Sequence, residues 1–257
     1  MNELGKDRAK KLAKLATAKG RREQGFLLLD SAPLVERALD LGLVEELFFD
    51  EHRGPEVQAQ TERAAAADVF ITATDADHLA KICGVQTPAG LAALIPRLAA
   101  PDLADISGQP ELSIVFLEKI SDPGNLGTIA RNAAAFACDL LVVSEGSADP
   151  ESPKAMRASA GSLLSLPCAR LSLEDLRPLI DEGVTLLRTV VRGGESLTDF
   201  PAIRRRILWL GNEAEGASTA PADMPSRDVT ITMQRTSDSI NVASAAAIFL
   251  QAMEAKI

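Results

Sequence analysis

Tyrosine is absent from the 257 residues, tryptophan occurs once and aromatic residues make up 4%. Extensive stacking on unpaired bases is therefore not expected. Cysteine occurs three times, at Cys83, Cys138 and Cys168, far apart and without a CxxC pair. An odd, scattered set predicts reduced and mostly buried thiols, not a disulfide or zinc framework. The two histidines, His52 and His78, have no metal partner near them in sequence, so both read as surface or loop residues and no metal is expected. No apolar run is long enough to span a bilayer, and the N-terminus is charged where a signal peptide would be apolar. A cytosolic chain with no membrane partner is expected. Neither GxGxxG nor Gly-Lys-Ser/Thr occurs, which disfavours a dinucleotide oxidoreductase or a nucleoside-triphosphate enzyme.

What is present is an ordinary globular balance, 46% hydrophobic and 25% charged. The length suits one large domain or two ordinary ones. The net charge of −9 argues weakly against nucleic acid as a partner. The charge is uneven, however. In residues 1–22, Lys6, Arg8, Lys10, Lys11, Lys14, Lys19, Arg21 and Arg22 stand against Glu3 and Asp7, so this stretch carries +6 and the rest −15. A basic arm on an acidic body fits attraction to a phosphate backbone, and it fits a solvated helix face equally well.

Along the chain, helical spacing over 3–20 is broken at Gly20. A strand is predicted at Gly25–Leu29, a helix at Ala32–Leu41 stopped by Gly42, and a strand at Glu46–Phe49. Then follow a helix near Pro55–Ala67, a strand at Val69–Thr72, a short helix at Asp77–Ile82 and a strand at Ala89–Ile95. This alternation predicts an α/β domain over 1–96. The stretch 97–110, rich in Ala, Pro, Asp and Gly, reads as a linker. From 111 to 257 a second α/β domain is predicted. Its strands, Leu112–Leu117, Leu140–Ser144, Val184–Val191, Ile207–Leu210 and Val229–Met233, are continuous apolar runs that suit a parallel sheet covered on both faces. Helices are predicted near Thr128–Ala137, Pro153–Leu164 and Leu173–Glu182. A last, Ala-rich helix opens at Asn241 and is almost uncharged until Glu254, so it should be buried in the domain or against another subunit.

Three loops of the second domain fall just after predicted strands, the edge of an open parallel sheet where ligands bind. The first is Asp122-Pro123-Gly124-Asn125-Leu126-Gly127, leading to Arg131 about one turn into its helix. The second is Gly211-Asn212-Glu213-Ala214-Glu215-Gly216. The third runs from Ile231 to Val242. Each alone also fits a structural turn or a capped core helix.

Together the three loops resemble the SpoU (TrmH-like) branch of the SPOUT RNA methyltransferases. Asp122 to Ala133 is similar to that family's Asp-Pro-Gly-Asn-(Val/Leu)-Gly motif with its Arg and Ala. Gly211 to Gly216 matches Gly-Asn-Glu-x-x-Gly, and Ile231 to Val242 resembles Ile-Pro-Met-x-Gly-x-x-x-Ser-Leu-Asn-Val. Two positions depart from the third motif: Thr232 replaces its proline and Arg235 its glycine. The resemblance covers 111–257. A weaker one, carried by Gly25-Phe26-Leu27, Val35-Glu36, Glu46-Leu47-Phe48 and Thr87-Pro88-Ala89-Gly90-Leu91, links 1–96 to the family's substrate-binding domain, which is similar to RNA-binding ribosomal proteins.

The resemblance implies a C-terminal domain with a deep trefoil knot, a homodimer, and S-adenosylmethionine as methyl donor for a ribose 2′-hydroxyl of RNA. Ribosomal RNA is favoured over transfer RNA. A non-catalytic RNA-binding or assembly protein on the same fold is the alternative. By motif position the catalytic set is Arg131, Asn125, Glu213, Ser239 and Asn241. The cofactor contacts are Gly211, Ile231 and Ile240, then Thr189, Leu210 and Met233; the apolar members would look the same as plain core. The candidate RNA contacts are Lys10, Lys11, Lys14, Arg21, Arg22, Lys154 and Arg157. The dimer is expected through the apolar face of the Asn241–Ala255 helix.

Overall fold

The structure, a computed structural model, describes residues 2–52, 54–197, 201–234 and 239–254. The chain separates into two compact units, Met1–Ala99 with Glu151–Ser165, and Ala100–Pro150 with Leu166–Ile257. In the first unit the elements run β1 (Asn2–Glu3), α1 (Lys6–Ala13), α2 (Ala18–Gln24), β2 (Phe26–Leu29), α3 (Ala32–Asp40), β3 (Glu46–Asp50), α4 (Pro55–Ala66), β4 (Phe70–Thr74), α5 (Ala76–Cys83) and β5 (Leu91–Pro96). Their sheet has the order β1-β4-β3-β5-β2, parallel from β1 to β3 and antiparallel from β3 through β5 to β2.

The basic stretch 1–22 does not extend as an arm. Ala9, Leu12 and Leu15 recur at helical spacing, and with Leu4 they are buried among Phe48, Leu79, Ile82 and Leu94. Burying such side chains is the main gain that fixes an amphipathic segment on a sheet. The single helix expected over 3–20 is two helices, parted at 14–17. Thr17 caps the second, its Oγ1 accepting from the Gly20 amide at 3.1 Å. Gly20 lies inside α2 and is no helix breaker. A Cβ at Gly20 would sit 2.0 Å from the Lys14 carbonyl oxygen, so glycine is what lets α2 fold tightly onto the turn before it.

In the second unit come α6 (Ala104–Ser107), β6 (Leu112–Leu117), α7 (Pro123–Ala135) and β7 (Leu140–Val143). The stretch 97–110 is no bare spacer. Leu103 and Ile106, beside and within α6, pack on the core of the second unit. The chain then supplies α8 (Pro153–Ala158) to the first unit. There Arg97 Nε donates to both carboxylate oxygens of Glu151, at 3.0 and 2.8 Å. Back in the second unit follow β8 (Cys168–Arg170), α9 (Arg177–Asp181), β9 (Thr185–Thr189), β10 (Glu195–Ser196), β11 (Arg205–Leu210), β12 (Ser226–Thr230) and α10 (Val242–Glu254).

The seven strands of the second unit form one sheet, order β10-β12-β9-β11-β6-β7-β8, in which every described pair is parallel. Both units are therefore α/β. Ile114 and Phe116 pack with Leu179, Ile180 and Trp209. Strand alternation sends the intervening Val115 and Leu117 to the opposite face, and they are buried too. Sheets covered on both faces read as predominantly apolar strands, which is why β6, β7, β9 and β11 are visible in the sequence. α10 packs against α7, and its Val242, Ala243, Ala246, Phe249, Leu250 and Met253 are buried. The broad apolar face of α10, expected at a dimer contact, is thus used within the unit.

Candidate active site

The first loop is not a loop. Asp122 caps α7, its carboxylate accepting from the Gly124 amide at 3.1 Å, and Pro123 takes the first helical position. Asp before Pro is a helix-start pair, because proline has no amide to leave unpaired and its φ already suits a helix. The helix begins at Pro123, five residues before the expected Thr128. Asn125 therefore lies in the first turn, and Arg131 lies in the third rather than about one turn in.

Asn125 and Asn132 are seven residues apart, two turns, so they share a face of α7. Both grip the start of α10. The Asn125 side-chain oxygen accepts from Asn241 Nδ2 at 3.0 Å. Asn132 Nδ2 donates to the Ala243 carbonyl at 3.1 Å. Asn241 in turn caps α10, its Oδ1 accepting from the Ala243 amide at 2.9 Å. The amide nitrogen of Asn125 donates to the Glu213 carboxylate. One asparagine thus ties α7, the loop after β11 and the head of α10 together.

The loop after β11 is wound tightly on itself. Gly216 N donates to Asn212 O at 3.0 Å, and Asn212 Oδ1 accepts from the amides of Ala214 at 2.9 Å and Glu215 at 2.7 Å. A Cβ at Gly211 would lie 1.9 Å from the Ala217 nitrogen, so only glycine fits where the loop closes over the strand end. Gly216 adopts a φ of 72°, the left-handed region. Thr189, at the end of β9, donates from Oγ1 to the Trp209 carbonyl at 2.9 Å. Beside it, Arg188 forks onto Asp228 at 2.8 and 2.6 Å. That pairing holds the Asp228 carboxyl below its ordinary range.

These strand ends and loops enclose a cleft of about 450 Å³. Gly211, Ile231, Ile240, Thr189, Leu210 and Met233, the six residues named for cofactor contact, all line it. Glu213 and Ser239 of the named catalytic set line it as well. β12 ends at Thr230, short of the expected Met233, so Ile231 and Met233 stand in the loop beyond the strand. Ile240 is 37% exposed and Ile231 half-buried, which separates both from plain core. Thr232 is exposed and its hydroxyl meets that of Ser196 at 3.2 Å. Arg235 lies outside the described residues. Arg131 is exposed and, among the described residues, has no hydrogen-bond or ion-pair partner.

The named RNA contacts divide. Lys10, Lys11, Lys14, Arg22 and Lys154 are exposed. Arg21 is buried at 2% exposure, with Nη1 donating to the Leu15 carbonyl at 2.8 Å, so it serves the turn before α2 and not an outer surface. Arg157 is held by Asp30, at 2.5 Å, an ion pair within the first unit. Two residues that hold these loops carry no role by motif position. Asn132 follows Arg131 in the first motif, and its spacing from Asn125 marks a shared helix face. Glu118 looks like a surface carboxylate in sequence, yet accepts from the Trp209 indole at 2.9 Å and from the Ser218 amide at 2.8 Å. Among the described residues, no three His, Cys, Asp or Glu side chains are grouped to hold a metal ion, and no helix is long and apolar enough to cross a membrane.

Residues 112–251 match the model of the SpoU rRNA Methylase family, and residues 6–93 that of the MRM3-like substrate binding domain. A tRNA/rRNA methyltransferase of Synechocystis, described as uncharacterized, is 32% identical over 94% of this chain and 88% of its own. The 23S rRNA (guanosine(2553)-2′-O)-methyltransferase RlmP of Bacillus subtilis is 29% identical over 92% of each chain. The AdoMet-bound rRNA methyltransferase of Sinorhizobium meliloti superposes with a TM-score of 0.85 at 26% identity, covering 99% of this chain and 97% of its own. The SpoU methyltransferase AviRb of Streptomyces viridochromogenes, also with AdoMet, gives 0.81 at 27% identity, over 96% and 97%. The chain belongs to the SpoU rRNA Methylase family.

Proposed function

We propose that this chain transfers a methyl group from S-adenosylmethionine to a ribose 2′-hydroxyl of ribosomal RNA, in the cytosol. The observation that carries the reading is the junction at Asn125, which ties α7 to the loop after β11 and to the head of α10, both of which line the cleft. The cleft suits the cofactor. Its glycine-closed loop brings backbone groups to the wall at Gly211, its apolar side chains suit an adenosine, and the Glu213 and Glu215 carboxylates suit a cationic ligand. S-adenosylmethionine supplies a methyl already activated on a sulfonium, so a metal is not needed.

A ribose hydroxyl is a weak nucleophile, and its transition state gathers negative charge on oxygen. Arg131, with no partner among the described residues, is available to orient that hydroxyl and to stabilise the charge as the proton leaves. Asn125 and Glu213 hold the loop opposite, and Asn241 holds the head of α10. Ser239 lies on the cleft wall, within reach of a bound ligand. The exposed Lys10, Lys11, Lys14 and Arg22 on the first unit meet RNA phosphates, which makes affinity salt-dependent. We assign the second unit the family's trefoil knot.

Methyl-labelled cofactor offered with 23S ribosomal RNA and, separately, with bulk transfer RNA tests the reading. Label is expected in the ribosomal RNA, at a ribose whose adjacent bond resists alkali. Label in transfer RNA alone would reassign the substrate. No label and no cofactor binding would leave a scaffold protein in place of an enzyme.

The working form is a homodimer in this reading. With the wide face of α10 packed inward, a narrower stripe of Ser244, Ile248 and Gln251 faces out, and Ile248 is 41% exposed. We place the contact between subunits along it. Light scattering at micromolar concentration should give twice the 27.2 kDa chain mass. Ile248→Glu should give the single mass, and a wild-type monomer would remove the dimer from the reading.

A further inference from the structure

We infer that Glu118, assisted by Arg188, is a positioning residue that sets cofactor affinity by clamping the far end of the loop after β11; the inference rests on the cofactor reading above. That loop begins at Gly211, and its exit is Ser218. The Ser218 amide donates to Glu118 Oε2 at 2.8 Å, and the Ser218 carbonyl accepts from Arg188 Nη1 at 3.1 Å. Both backbone groups of one residue are thus held, each by a strand flanking β11. Glu118 follows directly on β6, and its own amide donates to the Leu210 carbonyl at 2.8 Å, extending the pairing of β6 with β11 to the point where the loop starts. Arg188 lies on β9 and is fixed by its fork onto Asp228.

The same Glu118 oxygen takes the indole N–H of Trp209, at 2.9 Å. Trp209 is fully buried and lies two residues before Gly211. One carboxylate therefore spans the entrance and the exit of the loop. Neither Glu118 nor Arg188 lines the cleft, whereas Ala217, adjacent to the clamped residue, does. Their effect on a ligand has to pass through the loop. A loop held in its binding shape spares the ligand the cost of ordering it. Such a contact acts equally on ground and transition states, so it should move KM and leave kcat alone.

The chain's single tryptophan supplies an internal reporter. S-adenosylhomocysteine is the probe, titrated by calorimetry and by Trp209 fluorescence on the full-length protein. Glu118→Ala is expected to weaken its binding about tenfold, the size of one charge-assisted hydrogen bond. KM for S-adenosylmethionine should rise in parallel while kcat at saturation stays within about twofold. Glu118→Gln keeps an acceptor oxygen for both donors and should recover affinity to within about threefold of wild type. Unchanged affinity in a folded Glu118→Ala overturns the inference, as does a fall in kcat with affinity intact. If Glu118→Ala melts below the assay temperature, Arg188→Met carries the test: several-fold weaker binding supports the clamp and unchanged binding overturns it. A wild type that does not bind the probe overturns the cofactor reading itself, and the clamp with it.

Discussion

Gly211→Ala is expected to weaken S-adenosylhomocysteine binding at least about a hundredfold, roughly 2.7 kcal/mol. The cause is backbone, not side chain. The added methyl would meet the Ala217 nitrogen and the Gly216 carbonyl carbon at 1.9 Å each. Ordinary contact for such atoms is about 3.5–4.0 Å, so the loop must lift by more than an ångström where it walls the cleft. A flexible side chain could swing aside; a turn held by its own hydrogen bonds cannot without losing some of them. Gly216→Ala is the matched control. Its φ of 72° imposes left-handed strain of about 1–2 kcal/mol on an alanine, yet nothing lies within 4 Å of the added Cβ. Gly216→Ala should lower the melting temperature but change affinity much less than Gly211→Ala does. Equal affinity for Gly211→Ala and wild type by calorimetry would show that this loop does not form the cofactor wall.

Arg131→Ala should show the opposite pattern. The methyl-transfer rate at saturating cofactor is expected to fall by at least about a thousandfold, within the range for groups that act on a proton or its charge in the transition state. Affinity for S-adenosylhomocysteine should stay within about twofold, because such a group is engaged only as the reaction proceeds. Arg131 is not among the residues lining the cleft. Its place in the third turn of a helix packed on α10 gives it a rigid base and an exposed, unpaired head among the described residues. Arg131→Lys keeps the charge but loses the planar fork, so it should recover part of the rate and not all. Methyl-labelled cofactor and ribosomal RNA measure all three forms side by side. A rate for Arg131→Ala within about tenfold of wild type would take the arginine out of the chemistry.

Much of this arrangement was legible before the fold was seen, though for two different reasons. The α/β class and the strands β6, β7, β9 and β11 follow from predominantly apolar runs, which physics ties to a sheet covered on both faces. The gathering of Gly211, Ile231 and Ile240 at one cleft was not legible from physics, since an isoleucine beside a strand looks like core. It came from motif resemblance alone. The misreadings have local causes. The segment Asp122–Gly127 reads as a loop because it is rich in Gly and Pro, although Asp followed by Pro also starts helices. Arg21 reads as an RNA contact because its run of neighbours is basic; it is buried, and its guanidinium reaches the Leu15 carbonyl in the turn before α2. β8 was missed because three residues, Cys168–Arg170, at a sheet edge leave no period to read. Glu118 was invisible because its partners, Trp209 and Ser218, are far away in sequence.

The first unit is assembled from two separated pieces of sequence, Met1–Ala99 and Glu151–Ser165. On the ribosome this sets an order of events. When Ala99 emerges, Asp30 and Arg97 still lack Arg157 and Glu151, their ion partners. The intervening stretch Ala100–Pro150 must be synthesised first, which takes roughly 3–10 s at the usual speed of bacterial or eukaryotic elongation. During that interval β6, α7 and β7 of the second unit emerge while the first is still short of its last piece. The nascent chain therefore cannot finish one unit before beginning the next, and a gene cut at the apparent boundary near residue 99 would yield a fragment with two unpaired charges, one of them the nearly buried carboxylate of Asp30.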